Sequence, residues 1–444
     1  MRKKKNIFEG KEMIETKESD EFDIDVESTD LNDSNEACPA KERVVKLDTS
    51  LCAAEPPVKA TEVVEDKIIT SVYSKTKFDD KDIEVCDKLR DDFSSFLTNT
   101  AKVSTEKDTM STIPTGIDLL DTILGGGFGT KFNMIVGPAG GGKSALVSKV
   151  IATGQRKFKG KFISIYADSE ESMTKERLSD LGIKYPEIEP VPHATVEKVF
   201  RIIEALCAYK AANPELLEVP SLVVWDSIAN SHTEKGMEAE DVNSVLGEKA
   251  RILSFLVPKY VSKLNKYNIC LLAVNQLRDE IKMGMMHTPK DLRYLADGKN
   301  IPGGKAIIYN AFQLLYVRST SDLKDAYGFS GHRVACKAVK NKLFAPNIDI
   351  PLVFSFSGGF SNFWTNFELL KDYKRLQASA WCKLESLPVD SSGNKISFRQ
   401  NQAIDLYRNN IEFREAFDRD VEDILKVEYI EKYKSNNEKM EVWN

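Results

Sequence analysis

The sequence has no long apolar run, few cysteines and few histidines, and each shortage excludes a class of protein. No stretch of about 18 consecutive apolar residues occurs, so no membrane-spanning helix is predicted. The basic first residues are followed by no apolar segment, which argues against a secretory signal. The seven cysteines form no CxxC pair and only four histidines accompany them. We therefore expect neither a zinc site nor a disulfide framework. The cysteine usage instead predicts a reducing, cytoplasmic location.

An excess of positive charge is also absent, since 62 basic residues stand against 68 acidic ones and the net charge is −6. The acidic excess lies at the start, because residues 1–66 carry 10 lysines and arginines against 18 acidic residues. The remainder carries 52 basic and 50 acidic residues. Bulk charge therefore does not indicate a nucleic-acid-binding protein, and any DNA contact has to come from local loops.

Composition and periodicity divide the chain into four parts. Residues 1–75 are rich in acidic and hydroxyl side chains and predict a disordered acidic tail. Residues 76–110 carry one helical apolar stripe and a linker, and the stripe either faces the core or docks on a neighbouring protomer. Residues 111–360 alternate short apolar runs with helical stretches, and residues 361–444 are more polar and predict a small α/β C-terminal domain.

The alternation in residues 111–360 predicts an α/β fold with a mostly parallel central β-sheet flanked by helices. Helices are predicted over Ala145–Gln155 and Val196–Tyr209, and a charged helix over about Asn409–Lys434. The predicted strands are Phe132–Val136, Phe162–Tyr166, Leu222–Trp225, Ile269–Val274, Leu314–Val317, Val334–Val339 and Leu352–Phe356.

A glycine-rich segment between a predicted strand and a predicted helix matches the pattern GxxxxGK[ST]. Backbone N–H groups of such a loop wrap phosphates at the helix N-terminus. Lys143 is expected to contact the β- and γ-phosphates and Ser144 to ligate Mg²⁺, so ATP and Mg²⁺ are the predicted cofactors. The residues of this segment are Gly137, Pro138, Ala139, Gly140, Gly141, Gly142, Lys143, Ser144 and Ala145.

Three other predicted strands end in polar side chains at the same edge of the sheet. Asp226 is expected to hold Mg²⁺ together with Ser144. Glu170 is expected to orient or deprotonate the attacking water, with Asp168 as the alternative. Gln276 suits a sensor of the γ-phosphate. These residues by themselves predict a P-loop ATPase.

Five segments, in this order over roughly residues 110–360, resemble the motifs of the RecA-family recombinases. The acidic start and the Trp-containing C-terminal region look closest to the phage UvsX-like recombinases. The resemblance implies a RecA-like ATPase core with DNA-dependent ATP hydrolysis. The segments are Ile113–Gly126, Asp168–Glu170, Asn275–Arg278, Ile301–Ala306 and Val339–Pro346.

The resemblance also implies roles for single residues. Glu170 takes the role of the general base, and Gln276 couples the nucleotide state to the loop that follows it. Lys340 and Lys342 are implied to reach the ATP of the neighbouring protomer. Arg177 stands where the family usually has an aromatic residue stacked on adenine, and a guanidinium can also stack on a base.

Two segments are predicted to contact DNA. Leu277–Pro302 has no periodicity and is long for an idle connection, and it is closed by Gly303 and Gly304. Charge and length alone fit an ordinary surface loop equally well, and the flanking motifs favour DNA. The shorter segment, about Thr233–Asn243, resembles the first DNA-contacting loop of the family, and the resemblance implies contacts from Gly236 and Met237. The candidate contacts in the longer segment are Arg278, Lys282, Met283, Met285, Lys290, Arg293 and Lys299.

The resulting prediction is an ATP-dependent recombinase that forms helical filaments on single-stranded DNA. It would pair that strand with a homologous duplex in recombination, repair and recombination-dependent replication. Single-strand-binding and mediator proteins are further candidate partners, and a phage-encoded chain would act in the host cytoplasm. The alternatives are a ring-forming helicase with the same core and a KaiC-like regulatory ATPase that is indifferent to DNA.

Overall fold

The computed structural model describes residues 110–433 except 172, 240–246, 280–298, 324–326, 380 and 388–396. The predicted acidic tail, the predicted docking helix and most of the long predicted DNA segment lie outside the described residues. The strands are β1 (Thr112–Ile113), β2 (Phe128–Gly129), β3 (Phe132–Gly137), β4 (Ser164–Asp168), β5 (Ile188–Pro192), β6 (Ser221–Asp226), β7 (Ile269–Gln276), β8 (Arg278–Asp279), β9 (Lys299–Asn300), β10 (Gln313–Leu323), β11 (Gly331–Asn341), β12 (Ile348–Ser355), β13 (Gly359–Phe360), β14 (Leu376–Ala378), β15 (Cys382–Leu384) and β16 (Ser397–Phe398).

The α-helices are α1 (Asp118–Leu124), α2 (Lys143–Phe158), α3 (Lys175–Asp180), α4 (Val196–Ala212), α5 (Glu234–Glu238), α6 (Glu248–Lys266), α7 (Lys305–Asn310), α8 (Asn362–Asp372), α9 (Ala403–Asn409) and α10 (Ile411–Ile424). Helix α10 continues as a π-helical segment over Leu425–Glu431. Within the described ranges, no helix is long and apolar enough to cross a bilayer.

A nine-stranded sheet, counted over the described residues, forms the centre of the fold in the order β13-β12-β11-β10-β3-β7-β6-β4-β5. The strands from β10 to β5 in that order run parallel. The strands β11, β12 and β13 are added antiparallel to their neighbours. The predicted α/β fold with a mostly parallel sheet is confirmed.

Both faces of the sheet are covered because its central strands are apolar on both sides. In β3, Phe132, Met134 and Val136 belong to one hydrophobic cluster and Ile135 to the other. This alternation follows from side chains that point to opposite faces along a strand. Helices α4 and α6 contribute to the first cluster, and α1 and α2 contribute to the second. The parallel strands therefore present their carboxyl ends at one common edge.

The edge strand β5 was not predicted. Its sequence Ile-Glu-Pro-Val-Pro contains two prolines, which a central strand would not tolerate because proline lacks a backbone donor. The strand pairs with β4 alone and lies at the end of the sheet. An edge position accommodates both prolines.

The charged helix predicted over about Asn409–Lys434 is confirmed as α10 with its continuation over Leu425–Glu431, and it begins at Ile411. The helical path is broken at Asn410, whose side chain caps α10 by accepting the Phe413 N–H at 2.9 Å. Asparagine favours this position because its side-chain oxygen satisfies a free N–H of the first turn. A separate short helix, α9, precedes this cap.

Residues beyond 361 pack against the same hydrophobic cluster as α1 and α2. Trp364, Phe367 and Phe417 are buried in that cluster. Phe363 stacks on Phe417 with ring centroids 5.0 Å apart. The side chain of Asn362 donates to Asp118 in α1 at 2.8 Å. The described C-terminal helices thus share a core with the sheet.

Candidate nucleotide-binding site

The loop after β3 is shaped by glycines. Gly140 and Gly142 have φ values of 70° and 90°, a region that favours glycine. A Cβ on Gly137 would lie 2.0 Å from the carbonyl oxygen of Val317 in β10, so the close approach also requires glycine. Residues from Gly137 to Ala145 form this loop and the first turn of α2. The loop lies at a helix N-terminus, where anionic groups bind favourably.

Lys143 is held inside the loop. Its Nζ donates to the carbonyl oxygen of Pro138 at 2.7 Å, and the residue is only 7% exposed. Burial lowers the pKa of Lys143, and the nearby carboxylates of Asp226 and Glu170 oppose this shift. A bound phosphate would offer the buried ammonium a charged partner in place of a neutral carbonyl.

Asp226 ends β6 as a buried carboxylate beside this loop. Tyr166 donates its hydroxyl proton to Asp226 Oδ2 at 2.8 Å, and the Ser144 side chain also hydrogen-bonds to the carboxylate. Burial raises the pKa of Asp226, and these two hydrogen bonds counteract the rise. A desolvated carboxylate next to a serine hydroxyl is a favourable place for a divalent cation.

The donor set fits Mg²⁺ better than a metal enclosed by protein ligands. In the part of the chain that the structure describes, no group of three or more His, Cys, Asp or Glu side chains is arranged to hold a metal. Mg²⁺ commonly keeps several waters and takes one or two protein oxygens together with substrate phosphates. Ser144 and Asp226 match this requirement.

Glu170 follows β4, and one of its carboxylate oxygens accepts hydrogen bonds from three side chains. Glu170 Oε1 accepts hydrogen bonds from Ser227 Oγ at 2.8 Å, Asn230 Nδ2 at 2.7 Å and Gln276 Nε2 at 2.8 Å. The structure therefore brings the predicted Glu170 and Gln276 together. Sequence reasoning missed Ser227 and Asn230, whose only signal is their place in the turn after Asp226.

Asp168 has a different part in this region. Its Oδ1 accepts the backbone N–H groups of Glu170 at 2.9 Å and Glu171 at 2.8 Å. Its Oδ2 accepts the N–H of Met173 at 3.3 Å. Asp168 thus builds the turn that presents Glu170 to the site.

Arg177 lies in α3, where it contacts the turn between β12 and β13. Its Nη1 donates to the carbonyl oxygen of Phe356 at 3.3 Å, and the Phe356 side chain is 50% exposed. The ring of Phe360 in β13, which follows this turn, lies 3.1 Å from where a Cβ of Gly142 would stand. The turn that carries Phe356 therefore contacts Arg177 and leads into a strand whose Phe360 packs against the phosphate loop. Only the tertiary structure reveals Phe356 as a candidate for contact with a nucleotide base.

Lys340 and Lys342 lie away from the phosphate loop of their own chain. Lys340 Nζ donates to the carbonyl oxygens of Ile308 at 3.2 Å and Tyr309 at 2.7 Å. Lys342 Nζ lies 6.0 Å from the ring centroid of Phe312. Because β11 runs antiparallel to β10, its final residues lie at the edge where the parallel strands begin. The loop after β3 lies at the opposite edge.

The described ends of the long predicted DNA segment are fixed to the core. Arg278 Nη2 donates to the carbonyl oxygen of Ala229 at 3.4 Å. Gly303 and Gly304 have φ values of 103° and 83°. A Cβ on Gly303 would lie 2.9 Å from Ile307 Cδ1, so the backbone packs closely there. The backbone of Lys299 pairs with Asp279. The candidates that lie outside the described residues are Lys282, Met283, Met285, Lys290 and Arg293.

The shorter predicted DNA loop is partly helical, which corrects the sequence prediction. Gly236 and Met237 lie in α5, whose first turn is capped by Thr233 Oγ1 accepting the Gly236 N–H at 3.0 Å. Arg201 in α4 also pairs with Glu234, with Nη1 3.0 Å from Oε2. The cap and this ion pair stabilise a short helix where the resemblance implied a loop. Met237 remains 61% exposed on it.

A polar cavity of about 500 Å³ connects these parts. Its lining residues are Ser169, Glu170, Ala229, Asn230, His232 and Arg278. The cavity is therefore shared by Glu170, by Arg278 of the longer predicted DNA segment and by His232, which immediately precedes the shorter one.

A glycine-shaped loop at a helix N-terminus, a lysine within it and a buried aspartate on a nearby parallel strand define a P-loop nucleotide-binding α/β protein. Residues 95–361, more than half of the chain, match the family described as the RecA N-terminal domain. The chain belongs to the RecA family.

Two relatives illustrate the distance within this family. The chain is 28% identical over 245 residues to the protein named RecA of Aquifex aeolicus. The aligned residues make up 55% of this chain and 65% of that protein. It is 29% identical over 245 residues to the protein named RecA of Clavibacter michiganensis, with 55% and 62% covered. The chain spans less than two thirds of the length of these relatives.

Proposed function

We propose that this chain is an ATP-dependent DNA recombinase that assembles on single-stranded DNA and pairs it with a homologous duplex. The observation that carries the proposal is the hydrogen bond from Gln276 to Glu170 at 2.8 Å. This bond joins the Glu170 carboxylate, at the edge of the sheet that carries the phosphate loop, to the residue that immediately precedes the segment 277–302. Such a contact suits an ATPase whose turnover depends on what that segment binds.

The loop Gly137–Ala145 binds the phosphates of ATP through its backbone, and Lys143 neutralises the β- and γ-phosphates. Ser144 and Asp226 hold Mg²⁺, which when bound supplies positive charge to the phosphate oxygens. Arg177 from α3 and Phe356 from the turn between β12 and β13 contact the base.

Glu170 orients the attacking water and accepts its proton, and Asp168 keeps the turn that positions Glu170. Glu170 is favoured over Asp168 as the base because backbone N–H groups donate to both oxygens of Asp168, whereas the three hydrogen bonds to Glu170 all go to Oε1. Gln276 reports the γ-phosphate to the DNA-binding segment.

Lys340 and Lys342 complete the nucleotide site of the neighbouring protomer in a helical filament. Their position at the edge opposite the phosphate loop supports a role in trans, since head-to-tail assembly brings opposite edges of successive protomers together. DNA contacts come from Gly236 and Met237 on α5 and from the segment from Arg278 to Gly304.

The proposal also includes the partner proteins and the kind of recombinase within the family. A phage UvsX-like recombinase would work with single-strand-binding and mediator proteins in the host cytoplasm. Base pairing would supply the sequence specificity, and the protein would hold the strand extended.

Strand exchange between a circular single strand and a homologous linear duplex, with ATP, Mg²⁺ and a single-strand-binding protein, tests the proposal. Joint molecules are expected with the unaltered chain and not with Lys143→Ala. If a folded chain that hydrolyses ATP forms no joint molecules, the proposed recombinase function is wrong. Rings with unwinding activity in the same preparation would favour the helicase, and ATP hydrolysis indifferent to single-stranded DNA would favour the regulatory ATPase.

A further inference from the structure

Asn230 donates to Glu170 from the turn that leaves β6. Its Nδ2 lies 2.7 Å from Glu170 Oε1, the same oxygen that Gln276 contacts at 2.8 Å. Gln276 precedes the segment 277–302, and Asn230 precedes the segment that contains α5. Glu170 is thus contacted from the start of both segments.

The turn that carries Asn230 is tightly held to the sheet. Ser231 Oγ accepts the Trp225 indole N–H at 2.7 Å and donates to the carbonyl oxygen of Ser227 at 3.0 Å. The backbone N–H of Ser231 bonds to the same carbonyl at 3.1 Å. These bonds limit independent motion of the turn, so a change at Asn230 passes along the backbone.

The turn leads directly into α5. Thr233 caps this helix and donates its hydroxyl proton to Glu248 Oε2 in α6 at 2.7 Å, where Glu248 is buried. Two residues therefore separate the side chain that contacts Glu170 from the cap of the helix that exposes Met237. Coupling between sites requires such a continuous set of packed and hydrogen-bonded groups.

We propose that Asn230 is a positioning residue for Glu170 that couples the α5 segment to the nucleotide site, in parallel with Gln276. The inference rests on the proposed function. Without DNA, the Asn230 hydrogen bond restrains Glu170 Oε1. Movement of α5 on binding DNA weakens this bond and releases the oxygen, so that turnover becomes sensitive to both segments.

ATP hydrolysis by Asn230→Ala and Asn230→Asp, each with and without saturating single-stranded DNA, tests the coupling. Neither replacement donates a hydrogen bond at neutral pH, and aspartate keeps the shape of the side chain. The DNA-free kcat is expected to rise while the KM for ATP stays unchanged. The ratio of DNA-stimulated to DNA-free turnover is expected to fall by about 2- to 30-fold.

Asn213→Ala is the matched control. Asn213 lies at the end of α4 and donates to the carbonyl oxygen of Tyr209 at 2.7 Å, so the variant also loses one amide and one hydrogen bond. Its turnover ratio is expected to equal that of the unaltered chain. An unchanged ratio in both Asn230 variants overturns the inference, as does a proportional fall of both rates.

Hydrogen–deuterium exchange of residues 231–239 gives a readout that does not depend on turnover. A non-hydrolysable ATP analogue is expected to change the exchange of this segment in the unaltered chain and not in Asn230→Ala. An equal response in both, or no response in the unaltered chain, also overturns the inference. If DNA does not stimulate ATP hydrolysis by the unaltered chain, the proposed function fails. The exchange experiment still decides whether Asn230 connects the nucleotide site to the α5 segment.

Discussion

At the scale of single residues, Tyr166 is the neighbour that orients the buried carboxylate of Asp226. Its hydroxyl is 2.8 Å from Asp226 Oδ2, and both side chains are almost fully buried. A hydrogen bond to an ionised, buried carboxylate favours the charged form. Tyr166 therefore helps to keep Asp226 ready to bind a cation next to Ser144.

Tyr166→Phe is expected to lower the free energy of unfolding by about 1–3 kcal/mol, because a buried acceptor loses its donor. The Mg²⁺ concentration for half-maximal ATP hydrolysis is expected to increase as well. Urea unfolding and Mg²⁺ titration of turnover measure the two effects. Tyr316→Phe in β10 removes a hydroxyl that does not contact Asp226 and serves as the control. An unaltered Mg²⁺ requirement in Tyr166→Phe would contradict the orienting role.

Lys210 is a fully buried lysine on α4 that bonds to neutral oxygens. Its Nζ donates to the carbonyl oxygens of Val219 at 2.9 Å and Asn268 at 3.2 Å, and to Ser221 Oγ at 3.2 Å. Burial lowers the pKa of Lys210 from 10.5 to about 8. The residue fixes the connection into β6 at the cost of desolvating an ammonium group.

The lowered pKa of Lys210 predicts a pH dependence of stability. Between about pH 8 and 10.5 the unfolded chain binds more protons at this residue than the folded chain. Its contribution to the free energy of unfolding therefore increases with pH across that window and is constant below it. Urea unfolding from pH 7 to 10 is expected to show a smaller rise for Lys210→Met than for the unaltered chain. Lys198→Met, from the same helix, is the control, and equal slopes for Lys210→Met and the unaltered chain would refute the assignment.

At the scale of elements, the two edges of the central sheet carry different halves of the proposed nucleotide site. The loop between β3 and α2 lies at the carboxyl edge of the parallel strands. The end of β11, with Lys340, lies at the other edge because β11 is antiparallel to β10. A single chain therefore cannot place both halves on one nucleotide.

This separation predicts complementation between two inactive variants. Lys143→Ala keeps Lys340 and Lys342, and the double variant Lys340→Ala with Lys342→Ala keeps the phosphate loop. Each alone is expected to show little DNA-stimulated ATP hydrolysis. In an equal mixture about a quarter of the head-to-tail interfaces combine two intact halves, so turnover is expected to return in proportion. No recovery on mixing, with both variants folded and bound to DNA, would exclude the site in trans.

At the scale of the whole molecule, one hydrophobic cluster extends from α1 and α2 to the C-terminal helices. It includes Ile113 near the start of the described residues and Leu425 near their end. The sequence boundary at residue 360 stays a prediction, and the cluster crosses it. The region that follows the ATPase core is therefore expected to unfold together with it.

Phe417→Ala tests this expectation. Phe417 is 1% exposed and stacks on Phe363, so its truncation is expected to cost about 3–5 kcal/mol. Far-ultraviolet circular dichroism and tryptophan fluorescence should both report one transition that shifts as a whole in urea. Two separate transitions, with only one of them displaced by the substitution, would show that the C-terminal region unfolds independently.

The sequence by itself determined the class of fold and the main residues of the nucleotide site. Buried parallel strands are continuous apolar runs, and their carboxyl ends meet at one edge. Polar residues after several of these runs, such as Glu170, Asp226 and Gln276, were therefore predictable as neighbours. The glycine pattern before Lys143 needs no tertiary information, because its backbone conformation is local.

Only the tertiary structure decided which side chains contact these residues. Tyr166 and Asn230 are unremarkable in the sequence, and their bonds to Asp226 and Glu170 depend on the spacing of different strands and turns. The edge strand β5, with its prolines, gave no strand pattern, and the capped helix α5 was predicted to be a loop. The local sequence pattern determines where a strand or helix forms and where it ends. The direction of each side chain and the residue that it contacts follow from the packing of the whole sheet.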